Sequence, residues 1–118
     1  MKHEESKIQQ ACVKWFRLQY PKHVLFAIPN GGWRSYSEAS IMRGEGVVPG
    51  VADLFLAQPV INKYGSMIHG LFIEMKTKKG RQSEAQKRFE IRVSGCGYKY
   101  AICRSVDEFM NVINEYLR

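Results

Sequence analysis

Apolar residues recur along the first twenty positions at the spacing of one helical stripe. Ile8, Ala11, Cys12, Trp15 and Phe16 fall at i, i+3, i+4, i+7 and i+8, and Pro21 interrupts the pattern, so a helix is expected over residues 4–19. Val24-Leu-Phe-Ala-Ile28 is an unbroken apolar run ended by Pro29-Asn-Gly-Gly32, which reads as a short buried strand running into a loop. Residues 35–45 suggest a short helix. The stretch from Gly44 to Gly50 holds three glycines and a proline in seven residues and is expected to be irregular.

Two more strands follow, over residues 53–57 and 70–77, with Asn62-Lys-Tyr-Gly65 as a turn between them, so antiparallel pairing is the simplest arrangement. A strand's side-chain period of two puts Leu71, Ile73 and Met75 on one face of the second strand and Phe72, Glu74 and Lys76 on the other. Lys78-Lys-Gly-Arg-Gln82 is a turn. Ser83-Glu-Ala-Gln86 then matches a capping box opening a helix to about residue 94, with Gly95 and Gly97 as its stop. Residues 98–103 form another strand. Ser105-Val-Asp-Glu108 reads as a second capping box, ahead of a stripe of Val106, Phe109, Met110, Ile113 and Leu117. The order is α-β-(α)-β-β-α-β-α without repeats or linkers, which implies one α/β domain over residues 1–118, a mixed sheet flanked by helices.

A hydrophobic content of 45% in 118 residues suits one core of this kind. No apolar run approaches the roughly 20 residues of a bilayer-spanning helix. The first seven residues, Met1-Lys-His-Glu-Glu-Ser-Lys7, lack the apolar centre of a secretory signal, so a cytoplasmic protein with no membrane partner is expected. Cys12, Cys96 and Cys103 form no CxxC pair, and His3, His23 and His69 lack zinc-ligand spacing. Cys12 and Cys103 are expected as core residues in a reducing compartment. The formal charge of +7 biases the surface toward polyanions. Between Lys76 and Lys99 there are eight Lys and Arg against Glu84 and Glu90, so nearly the whole net charge lies in one segment.

Asp53 follows the glycine-rich stretch, and Glu74-Met-Lys76 lies on the strand expected to pair with it. If they pair, Asp53 and Glu74 come within a few ångströms and Lys76 stands one pleat further along the same face. Two carboxylates side by side need a compensating cation. A hard ion such as Mg2+ or Mn2+ takes one or two carboxylates plus a backbone oxygen, for which the Met75 carbonyl is the candidate, and leaves room for phosphate. The chemistry such a site performs is phosphodiester hydrolysis. For Glu74 and Lys76 the plainer alternative is a charged, solvent-facing strand. For Gln86, at the third helical position after Ser83, it is capping alone.

The chain resembles the virus-type replication-repair nuclease (VRR-NUC) family of the PD-(D/E)xK superfamily, whose core is like that of restriction endonucleases. The resemblance rests on Glu5-Ser-Lys-Ile-Gln9, Pro29-Asn-Gly-Gly32, Gly46-Val-Val-Pro-Gly-Val-Ala-Asp53, Phe72-Ile-Glu-Met-Lys76 and Gly80-Arg-Gln-Ser-Glu-Ala-Gln86. It implies that Asp53 and Glu74 bind metal, that Lys76 is the catalytic lysine and that Gln86 is a polar active-site residue. A helical glutamate near the N-terminus can join the metal site in this family; Glu5 is the candidate here, with Glu4 and Gln9 as alternatives. The sequence departs at Ala52, where the family commonly has proline. Small stand-alone members are similar to homodimeric Holliday junction resolvases of phage or prophage, which would act in a bacterial host's cytoplasm.

Further contacts to DNA are expected from Asn30, Trp33 and Arg34 in the glycine loop and from Lys78, Lys79, Arg81, Lys87 and Arg88 beside the carboxylates. Nothing resembles a base-reading helix, so the expectation is a Mg2+- or Mn2+-dependent endonuclease that selects DNA by shape, four-way junctions above all, as a homodimer without a small-molecule cofactor. The rivals are a non-catalytic basic module that binds nucleic acid and a sequence-specific restriction-type enzyme.

Overall fold

The computed structural model describes residues 3–29 and 35–118. Asn30, Trp33 and Arg34, expected to approach DNA, lie outside the described residues. The elements run α1 (His3–Gln19), β1 (Leu25–Ala27), α2 (Tyr36–Gly44), β2 (Leu54–Leu56), β3 (Val60–Ile61), β4 (Met67–Ile68), β5 (Leu71–Met75), α3 (Glu84–Ser94), β6 (Lys99–Cys103) and α4 (Val106–Leu117). Among the described residues a mixed sheet forms in the order β1-β2-β5-β6. Its first two pairings are antiparallel and the β5–β6 pairing is parallel.

The alternation along β5 divides the molecule into two layers. Leu71, Ile73 and Met75 join Leu54 and Leu56 of β2 in one buried cluster with Cys12 and Phe16 of α1 and Phe109 and Ile113 of α4. Each large side chain buried there stabilises the fold by about 1.5–3 kcal/mol. Phe72 faces the other way, stacked on Phe55 at 4.5 Å between ring centroids and meeting Phe89 of α3 edge-on at 5.1 Å. The α3 layer therefore rests on aromatic rings next to the face that carries Glu74 and Lys76.

Several expectations need correction. The run at Val24–Ile28 does not make a fully buried strand: β1 is the sheet's edge, and Val24 and Phe26 are half exposed. The turn at Asn62–Gly65 closes a small separate hairpin of β3 and β4, rather than directly joining the two long strands. The second capping box is incomplete. The Ser105 hydroxyl accepts from the Glu108 N–H, but the Glu108 carboxylate accepts from the N–H of Arg104. Gly97, with φ of +89°, takes the left-handed conformation after α3, while Gly95 stays in the right-handed helical region. No helix among the described residues is long and apolar enough to cross a membrane.

Candidate active site

The site grows from the register of β2 on β5. Leu54 pairs with Ile73, so the next residue outward, Asp53, stands opposite Glu74. Asp53 Oδ2 accepts the Met75 N–H at 2.8 Å, which ties the loop entering β2 to the end of β5. In a strand the N–H and C=O of one residue point the same way, so the Met75 carbonyl faces the Asp53 edge as well. The loop is held down at Gly50. Its φ is +83°, and a side chain there would place Cβ 2.3 Å from the Ala85 carbonyl oxygen, so only glycine lets this backbone lie on the first turn of α3. Ala52, where the family commonly has proline, is fully buried.

Glu74 is 4% exposed. Its Oε2 accepts from Gln86 Nε2 at 3.1 Å and faces Lys76 Nζ at 3.9 Å, whereas Oε1 is buried with no hydrogen-bond partner among the described residues. Burial pushes the Glu74 carboxyl up to about 8, and the neighbouring Asp53 charge pushes in the same direction. Lys76 opposes this, and the charge of Glu5 adds a smaller upward contribution. Glu5 is therefore near enough to be felt electrostatically. Yet among the described residues no three His, Cys, Asp or Glu side chains are grouped so as to hold a metal ion, so Glu5 does not complete a three-carboxylate cluster.

Gln86 makes contacts in two directions. Its Oε1 accepts from the Ser83 N–H at 2.8 Å to close the capping box, while its Nε2 donates to Glu74. Lys78, Lys79, Arg81, Lys87 and Arg88 are all exposed on the turn and helix that follow. Lys87 pairs with Glu84 at 3.4 Å, an exposed contact worth little.

Two residues escaped the sequence reading or entered it only marginally. Arg104 donates to the carbonyls of Thr77 at 2.8 Å and Gly80 at 2.6 Å, clamping the basic turn behind Lys76. The sequence held no signal for it: Arg104 emerges beside Lys76 because Cys103 pairs in parallel with Met75, a register visible only in the fold. Gln9, one helical turn after Glu5, has a buried side-chain carbonyl oxygen with no hydrogen-bond partner among the described residues.

The VRR-NUC domain model matches residues 1–107. The chain belongs to the VRR-NUC family, and with it to a family of nuclease domains. A solved structure described as a VRR_NUC domain protein superposes with a TM-score of 0.80 at 22% identity, over 99% of this chain and 90% of that one. At that identity the likeness establishes the fold, a mixed sheet flanked by helices. No curated relative matches the chain in sequence.

Proposed function

We propose that this chain is a divalent-metal-dependent endonuclease that hydrolyses phosphodiester bonds in DNA and selects branched DNA by shape. One observation carries the reading: two nearly buried carboxylates, Asp53 and Glu74, share an edge with the Met75 carbonyl and Lys76, and Glu74 Oε1 has no hydrogen-bond partner among the described residues. An unpartnered buried carboxylate oxygen is costly unless a cation completes it. The oxygen-only donor set suits Mg2+ or Mn2+, held by Asp53, Glu74 and the Met75 carbonyl, with water filling the remaining positions.

The metal, when bound, supplies a Lewis acid for the phosphoryl oxygen and an activated water. The residues of the chain do the rest. Gln86 holds Glu74 Oε2, which leaves the other oxygen for the cation. Lys76, whose stem lies along Gly80 and whose ammonium is steered by Glu74, orients the attacking water and offsets charge developing on the phosphate. Lys78, Lys79, Arg81, Lys87 and Arg88 hold the backbone without reading bases. One such site cuts one strand, so paired cuts at a junction require two copies, and a two-fold homodimer is the assembly that supplies them.

The test is an end-labelled panel of four-way junction, linear duplex of the same arm sequence and single strand, incubated in Mg2+, in Mn2+ and in EDTA. Paired nicks near the branch that vanish in EDTA are expected. Cutting that follows a duplex sequence wherever it is placed would transfer the protein to the restriction type. Metal-indifferent binding with no cutting would leave a basic binding module.

A further inference from the structure

A cleft of about 410 Å3 opens beside the site, between Val48-Pro49 on the loop that delivers Asp53 and the side of α3 that carries Ala85, Phe89 and Val93. Its floor is Phe89 and Val93, and its rim carries Arg88 and Arg92 one helical turn apart. Among the described residues no acidic side chain lines it. Val48 is 45% exposed at its mouth, and both arginines are exposed. The cleft and the carboxylate site share a wall, because Gly50 lies against Ala85 and Gln86, and Gln86 in turn holds Glu74.

Apolar walls with a few placed polar groups characterise small-ligand pockets, and this volume is within their range. Here the polar groups are two guanidiniums, which suit phosphate oxygens, while the walls are hydrocarbon and one aromatic ring. Paired bases in a duplex expose little apolar surface to such a cleft. An unpaired base offers a whole face.

We propose that this cleft receives one unpaired nucleotide of the DNA substrate next to the bond to be cut, its base against Pro49, Phe89 and Val93 and its phosphate on Arg88 and Arg92. The inference rests on the nuclease reading for the neighbouring site and deepens it. Duplex ends and branches that can release a base are then preferred over continuous duplex, which gives the shape selection a physical origin.

The test measures equilibrium binding in EDTA by anisotropy, so that cutting plays no part. A labelled duplex is compared blunt, with a one-nucleotide overhang, and with the same overhang made abasic, at each strand end in turn. The natural protein is expected to bind the overhang about five- to tenfold more tightly than the blunt or abasic forms, as base stacking on a protein surface implies. In Cys96→Trp, which fills the cleft from its rim, the ratio is expected to fall to about one. Equal affinity of the natural protein for base-bearing and abasic overhangs would overturn the proposal, with no variant needed. A retained preference in Cys96→Trp, with the variant's melting unchanged, would also overturn it. Cleavage with metal, run in parallel, separates the two claims: a base preference without cutting removes the nuclease reading and leaves the cleft, and cutting without a base preference does the reverse.

Discussion

Gln86 donates its side-chain N–H to Glu74 while its carbonyl caps the helix that carries it. One amide thus sets both the start of α3 and the orientation of the carboxylate beneath it, and the two roles separate by substitution and pH. Gln86→Ala removes both contacts and is expected to cost about 1 kcal/mol at pH 5 and at pH 8. Gln86→Glu keeps the cap but sets a carboxylate against Glu74, so its destabilisation is expected at pH 8 and is largely absent at pH 5. Urea melts at the two pH values check this; equal losses for both variants at both pH values would show that the Glu74 contact is unimportant.

The pH dependence of stability turns on Glu74 itself. Burial raises its carboxyl in the folded protein to about 8 from the ordinary 4.5. The neutral form is the one the fold favours, so the contribution is fully present below about 4.5 and is lost as pH rises through 8. Because the unfolded chain's carboxyl ionises near 4.5 while the folded one keeps its proton, the metal-free protein is expected to lose stability steadily as pH rises from about 4.5 to about 8. Glu74→Gln, which imitates the neutral form, is therefore expected to be more stable than the natural protein at pH 8 in EDTA by roughly 1–3 kcal/mol and equal to it at pH 5. Saturating Mg2+ or Mn2+ is expected to return about 2–4 kcal/mol at pH 8 to the natural protein and nothing to the variant. Thermal melts with and without metal give all four numbers.

Much of this site was legible in the sequence because it is built from local rules. The alternation Phe72-Ile-Glu-Met-Lys76 fixes which side chains share a face, and one antiparallel register then brings Asp53 to Glu74. Ser83 and Gln86 mark the start of α3 by side-chain chemistry alone. What remained hidden depends on neighbours distant in sequence. The run Val24–Ile28 is apolar enough for a central strand, but β1 has a partner on one side only, so it is partly exposed. With two residues per strand, β3 and β4 are too short to show a period. Glu108 matches a capping box in spacing, but the N–H of Arg104 takes its carboxylate instead.

Arg104 holds the turn behind Lys76 through a single nitrogen, Nη1, which donates to the carbonyls of Thr77 and Gly80, and a lysine ammonium stops one bond short of that position. Arg104→Ala is expected to lower stability by about 1–3 kcal/mol and to weaken DNA binding severalfold, since the loosened turn carries Lys78, Lys79 and Arg81. Arg104→Lys is expected to recover little of either. Full recovery by lysine, in melts and in binding titrations, would show that charge alone matters at this position.

Thiol reactivity checks the core. Cys12 and Cys103 are buried, and burial pushes their thiols up to about 11 and about 12; Cys96 is exposed. A maleimide is expected to modify Cys96 alone in the native protein and all three thiols after unfolding in urea, as mass spectrometry of the labelled chain would show. Rapid native labelling of Cys12 or Cys103 would contradict the packing of α1 and β6.

The most direct measurement compares the natural protein with Lys76→Ala on an end-labelled four-way junction in Mg2+, scoring cleavage and binding on the same samples. Lys76 is expected to act on the reacting phosphate, so the variant should bind the junction within about twofold of the natural protein while its cleavage falls by at least about a hundredfold. Cleavage that survives the substitution, or that persists in the natural protein when EDTA replaces Mg2+, would contradict the assignment of Asp53, Glu74 and Lys76 as a metal-dependent phosphodiesterase site.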